Sequence, residues 1–144
     1  MATATVENKF TINKLLGIKA TSAVQLVQEI ERGFDFGTLE RVRQATGLPL
    51  DRLANSVGIS PRTLTRRKKN SKLKAWESDR LVSISRLLTA ALELFEGDAE
   101  KTARWFNQPN RALGDVAPLE MAATETGARE VENLIGRLEH GVFS

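Results

Sequence analysis

Apolar residues recur at helical spacing along most of the chain. The longest periodic segment runs from Glu77 to Glu96, where Leu81, Ile84, Leu88, Ala91, Leu92 and Phe95 form one stripe. Leu87 and Leu94 lie to one side of it and Val82 to the other, so the apolar arc is broad. That breadth predicts a helix buried on more than one side, either bridging two halves of the chain or packing on a copy of itself. Upstream, Thr21 or Ser22 can cap a helix reaching Arg32, with Val24, Leu26, Val27 and Ile30 as its apolar positions and Gly33 as its stop. A second helix starts at Thr38, carries Leu39, Val42 and Ala45, and ends at Gly47. Leu15-Leu16-Gly17-Ile18 is a short apolar anchor, and residues 1–10 show no periodicity. Phe34 and Phe36 suit core plugs between helices; a base-stacking platform would need exposed aromatics beside a single-strand groove.

Beyond Gly97 the elements shorten. Asp98 can cap a helix with Ala99, Ala103 and Phe106 on it and Trp105 alongside. Asn107-Gln108-Pro109-Asn110 and Leu113-Gly114-Asp115 are turn clusters. Pro118 opens a helix to about Thr124 or Glu125, and Thr126-Gly127 interrupts it. The last helix carries Val131, Leu134, Ile135 and Leu138 and stops at Gly141. No alternating run is long enough for a sheet, so the expected class is all-α.

The segment LDRLANSVGISPRTLTRRKK, residues 50–69, has the layout of a helix-turn-helix. Ala54 is small where two helices cross, and Gly58 permits the positive φ of the turn. Val57, Ile59 and Leu64 point inward. Ser60 caps the second helix and Pro61 preorganises its first turn. Donors for phosphates and base edges then follow. The candidate DNA-binding set is Ser60, Arg62, Thr63, Thr65, Arg66, Arg67, Lys69 and Lys72. One member is off pattern: Arg67, three after Leu64, stands where such motifs often place an apolar residue. Asn70-Ser71-Lys72-Leu73-Lys74 reads as a basic loop along the phosphate backbone.

Charge sharpens this division. Residues 1–74 hold 14 Lys and Arg against 6 Asp and Glu, whereas residues 75–144 hold 7 against 12. One half suits a polyanion and the other does not, which argues for two tasks on one chain. The expected boundaries are an N-terminal arm (1–20), a helix-turn-helix domain (21–74), and a long helix with a C-terminal domain (75–144). With no cysteine, no tyrosine and the single histidine His140, no nucleophile, base and orienter converge, and no catalytic or metal-binding residues and no cofactor are expected. Glu77 and Asp79, two apart on a helix, face different ways and read as a helix start. No run approaches the roughly 18 apolar residues of a membrane span. The opening MATATVENKF lacks a basic-then-apolar leader pattern, so the cytoplasm is the expected location.

The stretch ARWFNQPNRALGDVAPLEMAATETGAREVENLIGRLEHG resembles the toxin-binding domain shared by Xre, MbcA and ParS antitoxins. Trp105, Pro109-Asn110, Leu113-Gly114, Pro118-Leu119-Glu120, Thr124 with Gly127, Val131, Leu134 and Gly141 carry the resemblance in order. Glu77-Ser78-Asp79-Arg80-Leu81 is similar to the opening of that family's long helix, and Thr63-Leu64-Thr65-Arg66-Arg67 to its recognition helix. The match covers residues 22–142. Three places depart from it: Thr102 stands for an alanine, Asp115 for a second glycine, and Met121-Ala122-Ala123 for a leucine-rich run.

The resemblance implies an Xre-like helix-turn-helix bundle joined by a long helix to a small helical toxin-binding domain. It implies an antitoxin of a type II toxin–antitoxin system, with a RES-domain toxin that consumes NAD or transfers ADP-ribose as partner. It also implies operator DNA, bound as a homodimer or a larger toxin–antitoxin complex. The candidate toxin-binding set is Glu132, Ile135, Leu138, Glu139, His140, Val142, Phe143 and Ser144. Acidic Glu125, Glu130, Glu132 and Glu139 suit a basic NAD pocket, and the terminal carboxylate can stand in for a phosphate. Alternatively, Val142 and Phe143 pack back on the last helix. The competing function is a stand-alone transcriptional regulator whose C-terminal half only dimerises or binds an effector.

Overall fold

Hydroxyl and carboxylate caps set the starts of several helices. Ser22 accepts from the Gln25 amide, Ser60 from Thr63, Asp98 from Lys101 and Thr124 from Gly127. The computed structural model describes residues 11–67 and 71–141. Along them run α1 (Ile12–Leu16), α2 (Ala23–Arg32), α3 (Phe36–Thr46), α4 (Leu50–Val57), α5 (Pro61–Arg66), α6 (Ala75–Leu94) and α7 (Ala99–Asn107). A 3-10 turn (Arg111–Leu113), α8 (Pro118–Met121) and α9 (Glu125–Glu139) complete the order. The chain is all-α, as the spacing predicts. Among the described residues the only β pairings are the isolated bridges Asp35–Lys72 and Asn110–Val116.

Helix α6 is the axis of the fold. It packs against α1, α2, α3, α4, α7 and α9. Leu81, Val82, Ile84, Leu87, Leu88, Ala91 and Leu92 are all buried. Its broad arc therefore bridges the two halves within one chain. A single apolar cluster runs from Leu15 and Leu16 through Leu53 and Leu88 to Val131 and Ile135. The α1 anchor belongs to that cluster, packed on α3 and α6, so residues 12–16 are part of the bundle and not of an arm. Phe34 and Phe36 are buried core plugs, and the Leu73 amide bonds the Phe34 carbonyl while Phe36 bonds that of Ser71. The 71–74 loop is thus pinned at its backbone and leaves Lys72 exposed.

Several expected positions move. Val24 and Val27 are 67% and 50% exposed, because α2 docks through the narrower stripe of buried Leu26 and partly buried Ile30. Ala45 is exposed and Thr46 is buried in its place, with its hydroxyl donating 2.8 Å to the Val42 carbonyl. Helix α8 ends at Met121, and Gly127 lies inside α9 rather than breaking it. The cause is close packing: a Cβ on Gly127 would stand 1.8 Å from the Met121 carbonyl oxygen.

Candidate nucleic-acid interface

The helix-turn-helix forms as its residues dictate. The Gly58 and Ile59 amides both reach back to the Ala54 carbonyl, at 3.0 and 2.9 Å, with Gly58 at φ 99°. That conformation strains any side chain, and a Cβ would also stand 2.8 Å from the outer edge of the Trp76 ring, which would have to shift. Ala54, Val57, Ile59 and Leu64 are buried at the crossing of α4 and α5.

On α5, residues three and four apart share a face. Arg62, Thr65 and Arg66 stand on one face and all three are exposed. Thr63 is half-buried; its amide donates 3.2 Å to the Ser60 hydroxyl, which in turn donates 3.0 Å to the Thr63 hydroxyl, and this fixes the first turn. Thr65 donates 3.1 Å to the Pro61 carbonyl and keeps its lone pairs outward. Lys72 is exposed in the 71–74 loop, where its backbone bridges Asp35 at the start of α3, and Lys69 lies outside the described residues.

Arg67 requires a correction. Its side chain is 12% exposed and its guanidinium is bonded to the carboxylate of Glu77, itself 2% exposed. Position 67 faces inward with Leu64, so this arginine is paired within the fold and does not stand with the exposed donors of α5. The Glu77 carboxylate also accepts 2.7 Å from the Lys74 amide, closing the start of α6. Burial pushes the Glu77 carboxyl up, but the Arg67 and Lys74 hydrogen bonds and positive charges outweigh it and hold it below its ordinary value. Sequence reasoning passed over Glu77 and Trp76 as members of this site. The signal for Glu77 was the off-pattern cation at 67, which demands a buried anion.

On α9, Glu132 and Glu139 are exposed, as is His140 just past its end, and Leu138 is half-buried against the core. Glu125, Glu130, Glu132 and Glu139 are set against Arg129 and Arg137 on the exposed surface, leaving it acidic. Ile135 is a second correction: at 2% exposure it is a core residue that seats α9 on the bundle. Val142, Phe143 and Ser144 lie outside the described residues. Among the described residues no helix is long and apolar enough to cross a membrane, and no group of three acidic or imidazole side chains gathers as a metal site.

Residues 25–86 match the antitoxin Xre-like helix-turn-helix domain, and residues 90–141 match the antitoxin Xre/MbcA/ParS C-terminal toxin-binding domain. Over 130 residues the chain is 38% identical to an antitoxin Xre of Yersinia enterocolitica (serotype O:8 / biotype 1B), covering 90% of this chain and 88% of that relative. The chain belongs to the Xre antitoxins. An antitoxin Xre of Photorhabdus laumondii is 33% identical over 132 residues, covering 91% and 89% of the two chains. One of Pseudomonas putida is 33% identical over 84 residues, covering 58% of this chain and 52% of its own.

In this Xre antitoxin the two matched domains meet inside α6, so one buried helix serves both. Two of the three departures from the family pattern have structural accounts. Thr102 is fully buried and donates its hydroxyl 2.9 Å to the Asp98 carbonyl, so a methyl-sized slot accepts it without an orphaned donor. Asp115 sits at φ 67°, a left-handed position that explains a glycine there and that aspartate tolerates better than most residues.

Proposed function

We propose that this Xre antitoxin neutralises a RES-domain toxin through its C-terminal region and represses its own operon through α5. The toxin is an enzyme that hydrolyses NAD or transfers ADP-ribose from it. Arg62, Thr65 and Arg66 meet the operator in the major groove, and Ser60 and Thr63 set the angle of entry. Lys69 and Lys72 contact phosphates and add salt-dependent affinity without sequence information. Glu132, Leu138, Glu139 and His140, with Val142, Phe143 and Ser144 beyond them, face the toxin. The complex works in the cytoplasm, with the antitoxin as a homodimer on a two-fold operator.

The observation that carries the reading is a pair of oppositely charged exposed surfaces, on α5 and α9, built on a single buried helix. A pocket that grips the pyrophosphate of NAD is cationic, and an acidic helix suits it. Two measurements on one double variant test the proposal. The first is growth of cells expressing the RES-domain toxin of the adjacent reading frame together with this chain. The second is binding to the DNA upstream of its own gene. The double variant Arg62→Ala/Arg66→Ala is expected to lose DNA binding, at about 1–3 kcal/mol per lost base contact, and still to protect cells. A neighbouring gene product that cells tolerate without this chain would leave a stand-alone regulator instead.

A further inference from the structure

The first turn of α6 touches the helix-turn-helix at both ends of α5. Before α5, the edge of the Trp76 ring lies over Gly58, 2.8 Å from where a Cβ would stand. After α5, Arg67 is the residue that ends the helix, and its guanidinium is held by Glu77. The same Glu77 oxygen takes the Lys74 amide, so the carboxylate is itself fixed by the start of α6. Helix α5 has only six residues, too short to hold its own direction. Buried Leu64 seats it on α4, and what remains free is its end, which among the described residues only the start of α6 holds.

We infer that Glu77 is a positioning residue for DNA recognition: through Arg67 it fixes the end of α5 to α6 and so sets the angle at which Arg62, Thr65 and Arg66 are presented. This rests on the operator-binding part of the function proposed above. The inference has a consequence opposite in sign to simple charge counting. Removing a negative charge near a polyanion should strengthen binding. Removing this one leaves Arg67 buried without its counter-ion, and the guanidinium leaves for water and frees the end of α5.

Three full-length variants, Glu77→Gln, Arg67→Met and the double variant, separate the alternatives on a duplex carrying the DNA upstream of the gene. Glu77→Gln keeps an oxygen for the Lys74 amide but no charge. Its affinity is expected to fall by about 3- to 10-fold, the size expected when a supporting contact is lost. Arg67→Met strands the Glu77 carboxylate and should fall similarly. The double variant has an inward apolar residue and no buried charge, and its affinity should return to near that of the parent. Because Arg67 touches no phosphate, the slope of log affinity against log salt should stay unchanged in the double variant. If Arg67 were a phosphate contact, that slope would shrink by about 0.9 and the double variant would stay weak. Tighter or unaltered binding by Glu77→Gln overturns the inference.

Amide exchange gives a readout that needs no DNA. The Leu64 and Arg67 amides, bonded to the carbonyls of Ser60 and Thr63, should lose protection in Glu77→Gln while the Ala128 amide of α9 keeps it. Unchanged protection at 64 and 67 also overturns the inference. A parent protein that fails to bind its upstream DNA, with exchange responding as described, would instead refute operator binding alone.

Discussion

The Ser56 hydroxyl in α4 donates 2.8 Å to the Leu119 carbonyl in α8, across 63 positions of sequence and with both residues buried. This bond ties the supporting helix of the DNA-reading motif to the C-terminal half. The apolar cluster is continuous across the same junction. The two halves should therefore unfold together. Trp76 and Trp105 place one fluorophore in each region, Trp105 packed between Phe95 and Phe106 at 6.2 and 5.1 Å between ring centroids. Urea titrations of Trp76→Phe and Trp105→Phe are expected to show one transition each, with the same midpoint after correction for each variant's stability. Ser56→Ala leaves the Leu119 carbonyl without a donor and should cost about 1–3 kcal/mol, read equally by either tryptophan. Two separated midpoints would contradict a shared core.

Acid should weaken the fold partly through Glu77. Its carboxyl titrates below the ordinary value of 4.5, so in the native state it holds its proton less readily than in the unfolded chain. Stability from this group is complete above that ordinary value. It is lost as pH falls through the lower native value, because there the unfolded state binds more protons. Thermal melting of the parent is expected to fall more steeply than that of Glu77→Gln below pH 4.5, with the difference between them constant above it. Parallel curves would mean that the Arg67 pair adds nothing to ionisation.

Much of this architecture was legible in the residues. Caps at Ser22, Ser60 and Asp98, the stop at Gly33 and the turn at Gly58 are local chemistry, and local chemistry does not depend on the rest of the fold. The breadth of the α6 arc foretold burial on several sides. What escaped was set by distant partners. Gly127 looks like a helix breaker until the Met121 carbonyl is seen against it. Val24 and Val27 look like core until α2 is seen docking on Leu26 and Ile30. Arg67 is off pattern in the sequence, at an inward position, but nothing local to it names Glu77, ten residues on, as its partner. Ile135 lies on the apolar stripe of a helix expected to meet a partner, yet the core takes that stripe first.

Gly127 gives a direct test of how α9 is seated. It lies three residues into the helix, where glycine ordinarily costs stability relative to alanine. Here propensity and packing oppose each other. An alanine Cβ would lie 1.8 Å from a backbone oxygen, which has no side-chain freedom to retreat. Packing should win: Gly127→Ala is expected to lower stability by about 1–3 kcal/mol and to shift the start of α9. Gly136, with no atom within 4 Å of its would-be Cβ, is the control, and Gly136→Ala should be neutral or stabilising. Equal effects at the two positions would mean that α8 gives way.

The exposed acids of α9 should govern how fast the toxin is found more than how tightly it is held. Glu132 and Glu139 are exposed, and charges of this kind act at a distance through the field and are screened by salt. Glu132→Lys/Glu139→Lys should slow association with the toxin by about tenfold at low salt, within the range that steering controls. The deficit should shrink as ionic strength rises, with the dissociation rate nearly unaltered. Ile135→Ala should behave in the opposite way. It removes a buried side chain, at about 2–5 kcal/mol of stability, and leaves the salt dependence of association untouched. Stopped-flow association and dissociation at several salt concentrations, alongside melting of the free antitoxin, distinguish the two. A slower dissociation or a salt-independent rate for the charge-reversed protein would show that α9 does not face the toxin's anion site.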